Sequence, residues 1–241
     1  MGKIAKKKLN LTGGKRHRSN LEARPSGVMD VASAVAALKK FKAPKFDQTV
    51  DCVMVLGVDT KQPDQNIRGS VALPKGIGKS KRVVAFCGAE SEKACLEAGA
   101  VRAGGEELAR DIEKGWMDFD VAIATPDMMR VIAKLGRVLG PKGLMPSPKA
   151  GTVTADIVRG VKEYSAGKVE YRTDKGGNVQ VPIGKMSFAE ADLAANLAHF
   201  IHTIETSRPS SVKGVYIKKI AISGSMTPSV LVTPPVAVAA S

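Results

Sequence analysis

Val83-Val84-Ala85-Phe86-Cys87 opens a run, from Arg82 to Leu135, in which short apolar segments alternate with helical ones. That strand precedes a helical pattern over residues 91–98 ended by Gly99, a short strand over 101–103, a helix over 106–114, a strand over 121–124 and a helix opened by Thr125-Pro126. Proline at a first helical position and glycine just past a last one are ordinary helix punctuation. Strands alternating with helices predict a small parallel sheet covered by helices, with Trp116, Met117 and Phe119 in its core or at its edge. This body is Rossmann-like but lacks phosphate glycines. In Pro74-Lys75-Gly76-Ile77-Gly78-Lys79-Ser80 a P-loop would need glycine where Leu73 stands, and a dinucleotide fingerprint begun at Gly76 would need it at Lys81. The loop also precedes a strand instead of leaving one.

C-terminal to this run lies Gly136-Arg137-Val138-Leu139-Gly140-Pro141-Lys142-Gly143-Leu144-Met145-Pro146-Ser147-Pro148-Lys149-Ala150-Gly151-Thr152-Val153, where three prolines and four glycines predict neither helix nor strand. Thr154 is placed to cap a helix that closes near Gly167. The style then changes. Residues 168–173 and 178–183, joined by Asp174-Lys175-Gly176-Gly177, read as an antiparallel hairpin. Ser187-Phe188-Ala189-Glu190 reads as a capping box opening a helix with Leu193, Leu197, Phe200, Ile201 and Ile204 on one face. His199 and His202 on that helix have no third metal ligand nearby in sequence, so no metal is expected. A last strand over residues 215–222 runs into Ser223-Gly224-Ser225-Met226-Thr227-Pro228, and the Pro/Ala/Val-rich stretch 233–241 is expected to be unstructured.

N-terminal to the run, the pattern Val31, Ala34, Val35, Leu38, Phe41 predicts a helix capped by Asp30 and stopped by Pro44, and residues 50–58 predict a strand. Phe46, between them, reads as core before a surface anchor for RNA beside Lys45 and Thr49. Residues 1–24 carry Lys3, Lys6, Lys7, Lys8, Lys15, Arg16, Arg18 and Arg24 against Glu22 alone. They read as an extended basic arm, for nucleic acid or for solubility.

Length and charge bound the partners. The 241 residues suffice for one large domain or two small ones, and 37 Lys+Arg against 23 Asp+Glu leave a net charge of +14. Such an excess calls for a polyanion, nucleic acid before a membrane, because no long apolar run or basic amphipathic anchor is present. Cys52, Cys87 and Cys95, odd in number and without metal spacing, read as reduced core residues of a cytoplasmic protein. With no phosphate loop, acid-base pair or metal set, a nucleotide-dependent Rossmann enzyme is the weaker reading, and no cofactor is implied.

A parallel body bracketed by strands of antiparallel character predicts an α/β protein in which an α+β outer domain, residues 1–76 and 168–241, is interrupted by an inserted Rossmann-like domain, residues 77–167. The two chain crossings, at Pro74, Gly76 and Gly78 and at Gly167, then form a hinge.

Eight segments resemble the ribosomal protein L1 family in its own order: Lys45-Phe46-Asp47, Asp64-Gln65-Asn66-Ile67-Arg68-Gly69, Leu73-Pro74, Trp116-Met117-Asp118-Phe119-Asp120, Ala124-Thr125-Pro126-Asp127, Gly140-Pro141-Lys142-Gly143, Pro148-Lys149-Ala150-Gly151-Thr152-Val153 and Lys213-Gly214-Val215-Tyr216. The resemblance implies a large-subunit protein of the ribosome, monomeric off it, whose outer domain binds rRNA. Its inserted domain moves with the stalk as deacylated tRNA leaves the exit site, and the protein represses its own mRNA. It also implies an rRNA surface on Lys45, Phe46 and Thr49, on Lys175 and Gly176, on Lys219, and on Ser225, Met226 and Thr227. One position departs: the family turn usually reads Thr-Met-Gly, and Thr227 stands at the glycine. Its Cβ is expected to push the turn back or demand another φ.

Overall fold

The three-stranded parallel sheet forms where the alternation places it. In this computed structural model, which describes residues 14–234, β4 (Val83–Phe86) lies between β5 (Ala100–Gly104) and β6 (Val121–Ala124), both parallel to it. Successive strand residues point to opposite faces. Val84 and Phe86 accordingly meet one core, with Leu108 and Ile112 of α4 (Glu106–Glu113), while Val83 and Ala85 meet another, with Cys95 of α3 (Ala89–Glu97) and Val161 and Tyr164 of α7 (Ile157–Ser165). Both faces being covered, every residue of β4 is buried.

The segment 136–153 is more helical than its prolines suggest. Its first turn, α6 (Gly136–Leu139), buries Leu139 against the first core, as α5 (Met129–Ile132) just before it buries Ile132, and only beyond Gly140 does the chain become irregular. Asp156, and not Thr154, caps α7, its carboxylate accepting from Arg159 N at 3.1 Å.

A five-stranded sheet runs in the order β1 (Val28–Met29), β10 (Val230–Val232), β9 (Ile217–Gly224), β2 (Thr49–Leu56), β8 (Asn178–Lys185), antiparallel except for β1 with β10. Burial along β2 alternates strictly: Val50, Cys52, Met54 and Leu56 point into a core shared with α2 (Val31–Lys39) and α8 (Glu190–Thr206), and Thr49, Asp51, Val53 and Val55 point away. Asp30 caps α2 as expected, accepting from Ser33 N at 3.3 Å, and the expected apolar face of α8 is buried. A ribbon of β3 (Arg68–Val71) and β7 (Val169–Arg172) completes the sheets among the described residues, and Tyr171 meets Phe200 of α8 edge-on at 6.0 Å.

Three local expectations are corrected. The turn at Asp174–Gly177 forms, with Asp174 N donating to Asn178 O at 2.8 Å, but its strands bridge only at Thr173 and Val179 before diverging, β7 to β3 and β8 to β2. Longer pairing with distant partners outweighs the local hairpin. Ser187 does not cap α8. Its N–H and hydroxyl donate to Asp47 at 3.1 and 2.8 Å, and Ala189 takes the cap position without a side-chain bond. Residues 15–22 are not an extended arm but a helix, α1 (Lys15–Glu22), tied down by buried Asn20, which exchanges hydrogen bonds with the Lys42 backbone at 3.1 and 2.9 Å. The rest of the basic arm, residues 1–13, and residues 235–241 of the tail lie outside the described residues.

The fold class is therefore the expected one: an α+β body, and interrupting it in sequence a Rossmann-like parallel body with separate cores. The three cysteines are buried and free, and burial pushes the Cys95 thiol up to about 12.

Candidate nucleic-acid interface

With α2 and α8 covering one face of the five-stranded sheet, the opposite face carries the outward residues of β2, β8 and β9. The predicted site residues fall at its two ends.

At one end, Gln48, just before β2, is fully buried, and its Oε1 accepts from Met226 N at 2.8 Å. Thr49 O accepts from Ser225 N at 3.1 Å, and the Thr49 hydroxyl accepts from Lys185 Nζ at 2.7 Å. These bonds bring segments 45–49 and 225–227 together, leaving Phe46 52% and Met226 54% exposed at the same end of the sheet. A large apolar side chain half in water is costly unless a partner covers it, at roughly 25 cal/mol per Å². Lys45 is exposed beside them. Thr227, like every other non-glycine among the described residues, avoids a positive φ, and it closes the turn, its N donating to Gly224 O at 3.1 Å and its Oγ1 accepting from Gly224 N at 2.9 Å. A hydroxyl does here what a flexible glycine would leave undone.

Lys175, Gly176 and Lys219 lie at the other end. Val55 pairs with Asn178 on one side and Lys219 on the other, and six residues of extended strand separate it from Thr49, about 20 Å. A bulge in β9 between the partners of Val55 and Leu56 leaves Lys218 and Lys219 adjacent and exposed. In the neighbouring turn the Asp174 carboxylate accepts from Gly176 N and Asn178 N, both at 2.8 Å, and from the Asn178 amide at 3.0 Å. The Asn178 side chain first, then backbone N–H groups, hold the Asp174 carboxyl below its ordinary range. Thr60 Oγ1 donates to Lys175 O at 2.9 Å, which fixes the turn. Between the two ends sits Asp51, pushed upward by burial and pulled back by Lys185.

The predicted crossings run side by side. Gly76, Gly78 and Gly167 have φ of 63°, 71° and 108°, and a Cβ on Gly167 would stand 3.3 Å from Ile77 and 3.6 Å from the Cα of Gly76. Just after Pro74, buried Asn196 of α8 pins the first crossing: its Oδ1 accepts from Lys75 N and its Nδ2 donates to Gly76 O, both at 3.0 Å.

Sequence reasoning missed Gln48, Lys185 and Asn196. Each is a single polar residue whose partners lie far away along the chain, with no motif to announce it. His199 and His202 are exposed on α8, and among the described residues no group of three or more His, Cys, Asp or Glu is placed to hold a metal. No helix among them is long and apolar enough to cross a membrane.

The fold thus defines a mixed α/β scaffold with a free sheet face ended by exposed aromatic, methionine and lysine side chains, chemistry suited to nucleic acid. Residues 38–228 match the model of the ribosomal protein L1p/L10e family, and the chain belongs to that family. Membership makes it a ribosomal protein, and rRNA its partner.

Proposed function

We propose that the protein binds large-subunit rRNA through the two ends of its open sheet face, as a structural constituent of the stalk beside the tRNA exit site. Lys45, Phe46, Thr49, Ser225, Met226 and Thr227 form one grip, and Lys175, Gly176 and Lys219 the other. The observation that carries this reading is that Phe46 and Met226 are both exposed at one end of the sheet, where Gln48 and Thr49 bond the Ser225–Met226 turn to the start of β2. Folded RNA presents a shallow groove of 2′-hydroxyls and phosphates. Short hydroxyl and backbone donors match it, apolar side chains cover sugar faces, and lysines supply the salt-dependent part.

In the same reading residues 1–76 and 168–241 form the outer domain and residues 77–167 the inserted one. The inserted domain moves about Pro74, Gly76, Gly78 and Gly167 to assist release of deacylated tRNA. Separate cores and adjacent left-handed glycines support that division. The protein acts without catalysis or cofactor, is a cytoplasmic monomer off the ribosome, and represses its own mRNA through the rRNA surface.

Filter binding to protein-free large-subunit rRNA over a salt series tests the reading. Tight binding that weakens steeply with salt is expected, and absent or salt-independent binding contradicts it.

A further inference from the structure

A cleft of about 360 Å³ opens beside the Lys175 turn, lined by Arg68 and Arg172 of the β3–β7 ribbon, by Lys149 from the loop before α7, by Lys175 itself, and by Thr60 and Asn66. Its charge is unbalanced. Arg68 and Arg172 are register partners, so two guanidinium groups leave the same face of the ribbon directly opposite one another. Like charges so placed destabilise a strand pair. Arg68 is relieved by Glu170, whose Oε1 accepts from its Nε at 2.9 Å and its Nη2 at 2.7 Å. Arg172, Lys149 and Lys175 have no carboxylate partner among the described residues, although Arg102 and Arg159 elsewhere on the surface do. The one acid lining the cleft, Asp174, is already engaged by Gly176 and Asn178.

Nor is Lys149 there by looseness of its loop. Ser147 N donates to Thr152 Oγ1 at 2.8 Å, the Tyr164 hydroxyl donates to Ala150 O at 2.8 Å, and Gly151, left-handed at φ 69°, lies so close to Ser70 that a Cβ would stand 3.1 Å from its Oγ. A loop of the segment carrying the parallel sheet is thus held in shape and packed against the ribbon, and its lysine lines the same cleft as two arginines. Unpaired cations converging in a concavity, with the Asn66 amide among them, suit the oxygens of a phosphate. None of the lining side chains is aromatic, so the cleft offers a base no aromatic platform, which favours backbone over nucleobase.

We propose that this cleft holds a phosphate of the RNA backbone, extending the contact from the sheet's lysine end onto Arg172 and Lys149. The inference rests on the rRNA reading above. Because the cations come from both the ribbon and the loop, the phosphate also ties the two together when RNA is bound.

The test compares full-length wild type with Lys149→Gln, Arg172→Gln and their double variant in rRNA filter binding over a salt series. The pair Lys93→Gln/Lys162→Gln, which removes the same charge from exposed positions on α3 and α7, is the control. The double variant should lose about tenfold in affinity, and the slope of log K against log[salt] should flatten by roughly 0.7–0.9 for one phosphate. The control should match wild type, and Arg172→Lys should restore the slope. Melting curves confirm folding, and Lys149→Gln, at an exposed loop position, reads the same contact should the double variant fail to fold. Wild-type affinity and slope in folded cleft variants would overturn the cleft site while leaving the rRNA reading intact. Failure of the wild type to bind rRNA would sink both. Calorimetry with inorganic phosphate separates the source of the anion: saturable binding lost in the double variant, with an unchanged rRNA slope, would assign the cleft to a free anion and overturn the RNA assignment.

Discussion

β2 and β4 are the central strands of two sheets in one chain, and they use their faces differently. β4 is buried on both sides because parallel neighbours require crossover helices, which here lie above and below the sheet. β2 pairs with antiparallel neighbours and, among the described residues, carries helices on one side alone, so alternate residues from Thr49 to Val55 stay partly exposed. A sheet that spends both faces on its own core can offer a partner only its loops. A sheet that spends one can offer a surface, and the rRNA assignment falls on that sheet.

The largest loss of binding is expected at the apolar end of the open face. Met226→Asp or Phe46→Ala should weaken rRNA binding by about 1–3 kcal/mol, through lost sugar or base contact and unpaired polar groups. Unchanged affinity in both variants, read by filter binding, would remove this end from the interface. A smaller effect is expected from replacing residues 77–167 with a short linker, which the adjacency of Gly76 and Gly167 permits. Most of the affinity should survive, with the loss confined to contacts such as Lys149, whereas a collapse of binding would show that both bodies grip equally.

The smallest effect concerns Asp51 on the open face. Burial raises its pKa above the unfolded value of 3.8, so the folded state disfavours its charge. The favourable contribution is fully present below pH 3.8 and is lost as pH rises through the folded value. Asp51→Asn should therefore melt higher than wild type at pH 7 and no higher at pH 3. A stabilisation of the same size at both pH values would show that packing, not charge, governs the position.

Much of the fold was legible because its signals are local: the alternation from Arg82 to Leu135, the Asp30 cap, the apolar stripe of α8. The site was legible only in pieces. Residues 45–49 and 225–227 announce themselves by family resemblance, but the bond from Met226 N to Gln48 spans 178 positions and no local pattern implies it. The same distance effect explains the misreadings. Ser187 satisfies every local rule for a helix cap, yet Asp47, 140 positions away, offers its hydroxyl a charged acceptor. The Asp174 turn satisfies every rule for a hairpin, yet β2 offers β8 a longer partner than β7 could. At Thr227 the sequence announces a missing glycine but not the bond from Gly224 N to its hydroxyl that closes the turn.

Co-sedimentation reads whether the open face of the five-stranded sheet seats this protein on the large ribosomal subunit. Wild-type protein should pellet with large subunits at low salt and be released at high salt, and Met226→Asp should stay in the supernatant at intermediate salt. Equal pelleting of wild type and variant at every salt concentration would contradict the account.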